Sequence, residues 1–146
     1  MNIIGSEAGR PSLARRLLGN LLQLDRENER WHRAILDLLA LAAPADSLLD
    51  VGCWDGSTTL DYMRVLGCRK ENGVGIEGAN DQRLQRAKTL FEAHGTDVDA
   101  AALPLADNAV SVVVCNQVLE HTKNIFFLMG ECERVAKPGG FIAFGI

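Results

Sequence analysis

The stretch Ser47-Leu48-Leu49-Asp50-Val51-Gly52-Cys53-Trp54-Asp55-Gly56-Ser57-Thr58 decides the fold. It opens on a short apolar run, closes that run with a glycine, and then supplies residues that start a helix. A short apolar run bounded by turn signals reads as a buried strand, because a helix needs about twice the length. Gly52 and Gly56 permit positive φ or close backbone approach. The free N–H groups that open the following helix can face a ligand. Such a turn is often only a tight strand-to-helix connection, so by itself it points to an architecture and not to a use.

The alternation continues toward the C-terminus. The pattern predicts a helix over Thr58–Leu66 and a second strand over Val74–Ile76, ending at Glu77-Gly78. Asp81–His94 follows as a helix, with Leu84, Ala87 and Leu90/Phe91 on one face and Gly95 as its stop. Val98–Ala101 is expected to be a weak third strand. Val110-Ser111-Val112-Val113-Val114-Cys115, nearly continuous and β-branched, is the strongest strand signal in the chain. Phe126–Ala136 reads as a helix, Lys137-Pro138-Gly139-Gly140 as a turn, and Phe141–Phe144 as a fifth strand. Strands that are apolar on both faces and alternate with helices predict an α/β fold. The expected form is a Rossmann-like doubly wound sheet of about five parallel strands with helices on both faces. In such sheets ligands bind beyond the carboxyl ends of the strands.

Toward the N-terminus the period changes. Leu13, Leu17, Leu21, Leu24, Trp31, Ile35, Leu38 and Ala42 mark one helix face. The polar interval Asp25–Arg30 either continues that helix or breaks it, and Pro44 ends it. The expected organisation is a flexible tail over 1–11, an N-terminal helical segment over 12–45, and a ligand-binding domain over 46–146.

The chain has 146 residues, 47% of them hydrophobic and 23% charged, with a formal net charge of −4. This balance excludes intrinsic disorder and suits a single domain with a real core. The negative sum removes the general electrostatic argument for a nucleic-acid or anionic-membrane partner. No run approaches the ~18 apolar residues that cross a bilayer. The densest, Ala34–Ala45, is broken by Asp37 and Pro44. The opening MNIIGSEAGRP has no charged region followed by an apolar one, so no signal peptide is expected. Cys53, Cys68, Cys115 and Cys132 form no CxxC pair and have no His at metal-ligand spacing. They read as inert thiols of a reducing cytoplasm, with no metal site.

Four features fall at predicted strand ends. The glycine turn is the first. Glu77, 21 residues beyond Gly56, is the second: an ionised carboxylate accepts two hydrogen bonds at once and suits the two ribose hydroxyls of an adenosine ligand. An exposed loop charge is the other reading of Glu77. Asp99, in Asp99-Ala100-Ala101-Ala102-Leu103-Pro104, is the third. It can accept from an adenine amine while a neighbouring N–H donates to the ring, or it can simply make an Asx turn. The fourth is Asn116-Gln117-Val118-Leu119-Glu120-His121, with Asn116 at the cleft mouth. His121 is either a proton acceptor or a hydrogen-bonding residue at a helix start.

Taken together, the chain resembles a class I S-adenosylmethionine-dependent methyltransferase of the small-molecule type. The resemblance rests on Leu103–Val113 (LPLADNAVSVV), Val118-Leu119-Glu120-His121, and Glu133-Arg134-Val135-Ala136-Lys137-Pro138-Gly139-Gly140, and covers residues 47–146. It implies S-adenosylmethionine as cofactor. Asp50, Gly52, Cys53 and Gly56 would hold the methionine part, Glu77 with Gly78 the ribose, Asp99 and Ala100 the adenine. Asn116 would lie near the methionine through its backbone. No catalytic residue is assigned, since in-line displacement at an activated methyl carbon needs positioning and no covalent intermediate.

The sequence departs from the family twice. Trp54 stands at the middle of the usual GxGxG turn. An L-residue with a large ring takes positive φ only at a cost, so either the loop keeps an ordinary conformation or the ring points outward. A less favoured reading lays the ring over the sulfonium. The family sheet also continues with two further strands, so a C-terminally incomplete domain is expected, whose open fifth strand could pair with a second copy. The expected acceptor is a small molecule. Nucleic acid is not expected, because Asn116-Gln117-Val118-Leu119 lacks the Pro-Pro-aromatic run of amino-methylating nucleic-acid enzymes. The alternatives are a nicotinamide-dependent dehydrogenase, poorly fitted by Gly-x-x-x-Gly, a non-catalytic cofactor-binding module, and an adaptor acting through residues 12–43.

Overall fold

A computed structural model describes residues 29–79 and 82–146. Five strands form one sheet among these residues: β1 Leu48–Val51, β2 Gly73–Glu77, β3 Glu92–Gly95, β4 Val110–Asn116 and β5 Ala136–Gly145. The helices among the described residues are 29–40 (α1), Ser57–Leu66 (α2), Gln82–Ala87 (α3) and Ile125–Val135 (α4). All four strand pairings are parallel and the order is β3-β2-β1-β4-β5. Strand order therefore reverses at β1, and in such sheets ligands bind at the carboxyl ends beside that reversal. The doubly wound architecture expected from the sequence is the one found.

All four residues of β1 are buried. Alternation sends Leu48 to one face with Val112 and Val114 of β4, against Ile35 and Leu39 of α1, Met63 and Leu66 of α2, and Leu84 of α3. Leu49 and Val51 point to the other face with Val113 and Cys115, against Leu128, Cys132 and Val135 of α4. Each such aliphatic side chain stabilises the fold by about 1.5–3 kcal/mol relative to exposure. Among the described residues the four cysteines are free and buried, and no helix is long and apolar enough to cross a membrane.

The chain divides into two compact units, Met1–Ala34 and Ile35–Ile146, and the sheet belongs to the second. The tail expected over 1–11, and residues 12–28 of the expected helical segment, lie outside the described residues.

Three sequence expectations are corrected. The helix expected over Asp81–His94 ends at Ala87; its expected first residue is outside the described ones. Thr89 N and Leu90 N turn back to the carbonyls of Arg86 and Ala87, and the Thr89 hydroxyl takes the Arg86 carbonyl as well. Phe91 then leaves the helix to fill a buried niche. A Cβ on Gly56 or Gly75 would come within 2.8 Å of its ring.

The third strand is consequently Glu92–Gly95, and not Val98–Ala101. Residues 97–101 make a turn instead, with Ala100 N and Ala101 N donating to the Asp97 carbonyl and Asp99 N to Asp97 Oδ1. Gly95 closes β3 and does not stop a helix: a Cβ there would lie 2.8 Å from Ala79 Cα.

The turn expected at Lys137–Gly140 is a bulge inside β5. Ala136 pairs with Val110 and Phe141 with Val112, so β5 carries extra residues while β4 advances by two. Gly139 supplies the positive φ that this needs, at +76°.

Candidate functional site

The turn after β1 is clamped to β2. Gly52 N and Cys53 N both donate to the Ile76 carbonyl, at 2.8 and 3.0 Å. Gly52 has φ +85°, and a Cβ there would meet Val118 Cγ2 at 2.3 Å, so glycine is required twice over. Gly56, at φ +83°, is the N-cap of α2. Since glycine has no capping side chain, Asp55 takes the role: its Oδ1 accepts from Ser57 N at 3.0 Å and from Ser57 Oγ at 2.6 Å. These bonds hold the Asp55 carboxyl below its ordinary pKa.

Glu77, the last residue of β2, reaches across to this turn. Its Oε2 accepts from Trp54 N at 2.7 Å, and its Oε1 from Gly78 N at 2.9 Å. Trp54 has φ +51°, so the turn is left-handed at the tryptophan, contrary to one of the two expected outcomes. The other is met: the ring is 55% exposed, and the Arg83 guanidinium carbon lies 4.7 Å from its centroid. One face of the ring is therefore engaged by Arg83.

Below the turn lies a polar group on the α2 face. Asp50 is 3% exposed and its Oδ2 accepts from Thr59 Oγ1 at 2.5 Å. Burial is the main cause that pushes its pKa up to about 7; Thr59 opposes the rise, and Glu77 adds to it. Tyr62 is buried on the same face, and its pKa is raised, chiefly by desolvation. Asn116 ends β4 and lies flat on β5, where a Cβ on Gly145 would come within 2.0 Å of its Oδ1. Burial, reinforced by Asp50 and Glu77, pushes the Cys53 thiol up to about 12. It is not a thiolate at neutral pH.

The structure thus brings Asp50, Gly52, Cys53, Gly56, Glu77 and Asn116 to adjoining strand ends, with Gly78 exposed at the rim. Asp99 is engaged elsewhere: its Oδ1 accepts from Lys123 N at 2.7 Å and Asn124 N at 3.1 Å, so it braces the approach to α4. Ala100 beside it is exposed, as is His121 in the 3-10 turn Leu119–His121. Sequence reasoning missed Thr59 and Tyr62. The signal was present: two hydroxyl-bearing residues lie on the helix face that also carries Met63 and Leu66.

The motifs of the sequence also meet physically. Arg134 donates to the carbonyls of Leu105 (2.8 Å) and Leu103 (3.1 Å), to Asp107 Oδ1 (2.8 Å) and to Glu131 Oε2 (2.7 Å). Glu131 Oε2 also accepts from Leu103 N at 2.7 Å. The arginine near the end of α4 therefore shapes the Leu103–Asn108 loop that leads into β4.

This architecture and these motifs agree with comparisons to known proteins. The methyltransferase domain family matches residues 49–144. A ubiquinone biosynthesis O-methyltransferase of Bordetella bronchiseptica is 32% identical over 103 residues, covering 66% of this chain and 41% of that protein. The sterol 24-C-methyltransferase of Schizosaccharomyces pombe is 29% identical over 110 residues, covering 70% and 28%. Among solved structures, the YcgJ protein of Bacillus superposes with a TM-score of 0.64 at 18% identity, over 78% of this chain and 50% of that one. The chain belongs to the methyltransferase domain family, with the class I S-adenosylmethionine-dependent fold. It spans about two fifths of the length of the first curated relatives it matches.

Proposed function

We propose that this chain binds S-adenosylmethionine at the tips of β1, β2 and β4 and transfers its methyl group to a small-molecule acceptor in the cytoplasm. The observation that carries this reading is the Glu77 carboxylate drawn onto the left-handed turn that follows β1. The residues fit the cofactor. Gly52 lies where no side chain has room, and the carboxylates of Asp50 and Glu77 are close enough for Glu77 to raise the Asp50 pKa, which suits a ligand that carries a sulfonium charge. In this reading Asp50, Gly52, Cys53 and Gly56 hold the methionine part, with Asn116 beside it. Glu77 and Gly78 hold the ribose. Asp99 spends Oδ1 on the approach to α4, leaving Oδ2 for the adenine amine beside Ala100.

When bound, the sulfonium supplies an activated methyl carbon. The protein then needs to align the acceptor and exclude water, which is worth roughly 7–11 kcal/mol of effective concentration. An un-ionised Cys53 agrees with a site that uses no protein nucleophile. Oxygen and carbon acceptors both occur among the names of the relatives, so the acceptor is assigned by class alone.

Calorimetry with S-adenosylmethionine tests the reading. Glu77→Ala is expected to weaken binding by about 1–3 kcal/mol, the scale for unpaired donors. An unchanged Kd contradicts the ribose role, and tight NAD binding without S-adenosylmethionine binding rejects the assignment. Transfer of labelled methyl to a metabolite extract separates an enzyme from a non-catalytic cofactor module, which binds and transfers nothing.

A further inference from the structure

Helix α2 turns two hydroxyls inward, three residues apart and so on one face. Thr59 is fully buried and Tyr62 is 2% exposed. The rest of that face buries Met63 and Leu66, and valine and phenylalanine would fill the same two positions without a polar atom. Burying a hydroxyl is unfavourable unless it is hydrogen-bonded. Thr59 meets this condition by donating to Asp50 Oδ2 at 2.5 Å. Its partner Asp50 sits on β1, the strand at which the order of the sheet reverses.

We propose that Thr59 is a positioning residue of the cofactor site, aiming the Asp50 carboxylate toward the methionine end. The inference rests on the S-adenosylmethionine reading above. It assigns α2 a role beyond packing, since the helix fixes the buried carboxylate of β1.

The titratable groups that face Asp50 are Glu77 from β2, Tyr62 from α2 and Cys53 from the turn. Glu77 and burial oppose ionisation of Asp50, and the Thr59 hydroxyl favours it. A ligand that carries a sulfonium charge binds better to the ionised form. Affinity should therefore rise with pH through the Asp50 titration, and the position of that rise reports on Thr59.

Calorimetric titration of the full chain with S-adenosylmethionine, repeated across neutral pH, tests this. Thr59→Val is expected to lose about tenfold in affinity at neutral pH and to move the midpoint of the rise upward by about one pH unit. Thr59→Ser should restore both. Tyr62→Phe, which leaves the Thr59–Asp50 bond intact, should leave the midpoint in place. Circular dichroism identifies any variant that does not fold; should Thr59→Val be one, Thr59→Ala takes its place. Folded Thr59→Val or Thr59→Ala with unchanged affinity and midpoint overturns this inference alone. Absence of binding by the unsubstituted chain overturns the cofactor reading and this inference with it.

Discussion

Trp54 holds a left-handed backbone that an L-residue adopts at a cost of about 1–2 kcal/mol. Its N–H bond to Glu77 and the Arg83 contact over its ring offset part of that cost. The cation–π contact is worth about 0.5–1 kcal/mol at an exposed site. Trp54→Asn, which tolerates this conformation, is expected to lie within about 1 kcal/mol of the parent in urea denaturation. Trp54→Val should be less stable than Trp54→Asn by about 1–2 kcal/mol. Equal stabilities would mean that the turn relaxes and the strain argument is wrong.

Asp50 gives a pH prediction of opposite sign to an ordinary ion-paired carboxylate. Its pKa is raised in the folded chain, from 3.8 to about 7, chiefly by burial. The folded state therefore keeps a proton that the unfolded state releases. The associated stability is present below about pH 4 and lost as pH rises toward 7, with a slope of up to about 1.4 kcal/mol per pH unit. Asp50→Asn removes this slope, so the difference between parent and variant should change across that window. A difference independent of pH would show that Asp50 is not the group responsible.

At the scale of elements, Arg134 explains why two distant motifs occur together. Its guanidinium serves two carbonyls and two carboxylates at once. It raises its own pKa and lowers that of Glu131 by the same bonds. Lysine cannot reproduce this planar fork. Arg134→Lys is expected to cost about 1.5–3 kcal/mol and to expose the 103–108 loop to protease. Asp107→Ala, at a carboxylate 72% exposed, should cost no more than about 0.5 kcal/mol. Similar losses from the two would locate the effect in surface charge and refute the clasp.

What was legible at this scale follows from how local each signal is. β1, β2 and β4 are short apolar runs bounded by glycine or polar residues, and they lie where the pattern puts them. α3 and β3 do not, because Phe91 fits a helix face by spacing. Only the space above Gly56 and Gly75 draws it off the helix. The Lys137–Gly140 bulge is likewise invisible without β4 beside it. In the candidate site, the glycines and Glu77 announce themselves through spacing after strands. Thr59 acquires meaning only when α2 docks over Asp50.

Across the whole molecule the two ends of the sheet are built differently. At the amino ends of β1 and β4, Lys137 Nζ lies 3.1 Å from Asp46 Oδ2, 3.3 Å from Ser111 Oγ and 3.5 Å from Ser47 Oγ, which fastens β5 to its neighbours. Hydrogen bonds from Ser111 and Lys137 hold the Asp46 carboxyl down at about 2, so it stays ionised through the neutral range. At the carboxyl ends the connections are turns and loops. Lateral position adds a second gradient: β1 and β4 are flanked on both sides, whereas β3 is a four-residue edge strand with two of its residues exposed. Opening free energy should follow burial and pairing. Amide hydrogen exchange is therefore expected to be slowest in Leu49–Val51 and Val112–Cys115 and fastest among strand residues in Glu92–Gly95. Added S-adenosylmethionine should extend protection to Gly52–Gly56 and to Gly78 without changing β3. Equal protection of β3 and β1 would contradict the gradient, and protection spread evenly over the sheet would mean that the ligand acts by global stabilisation and not at the strand tips.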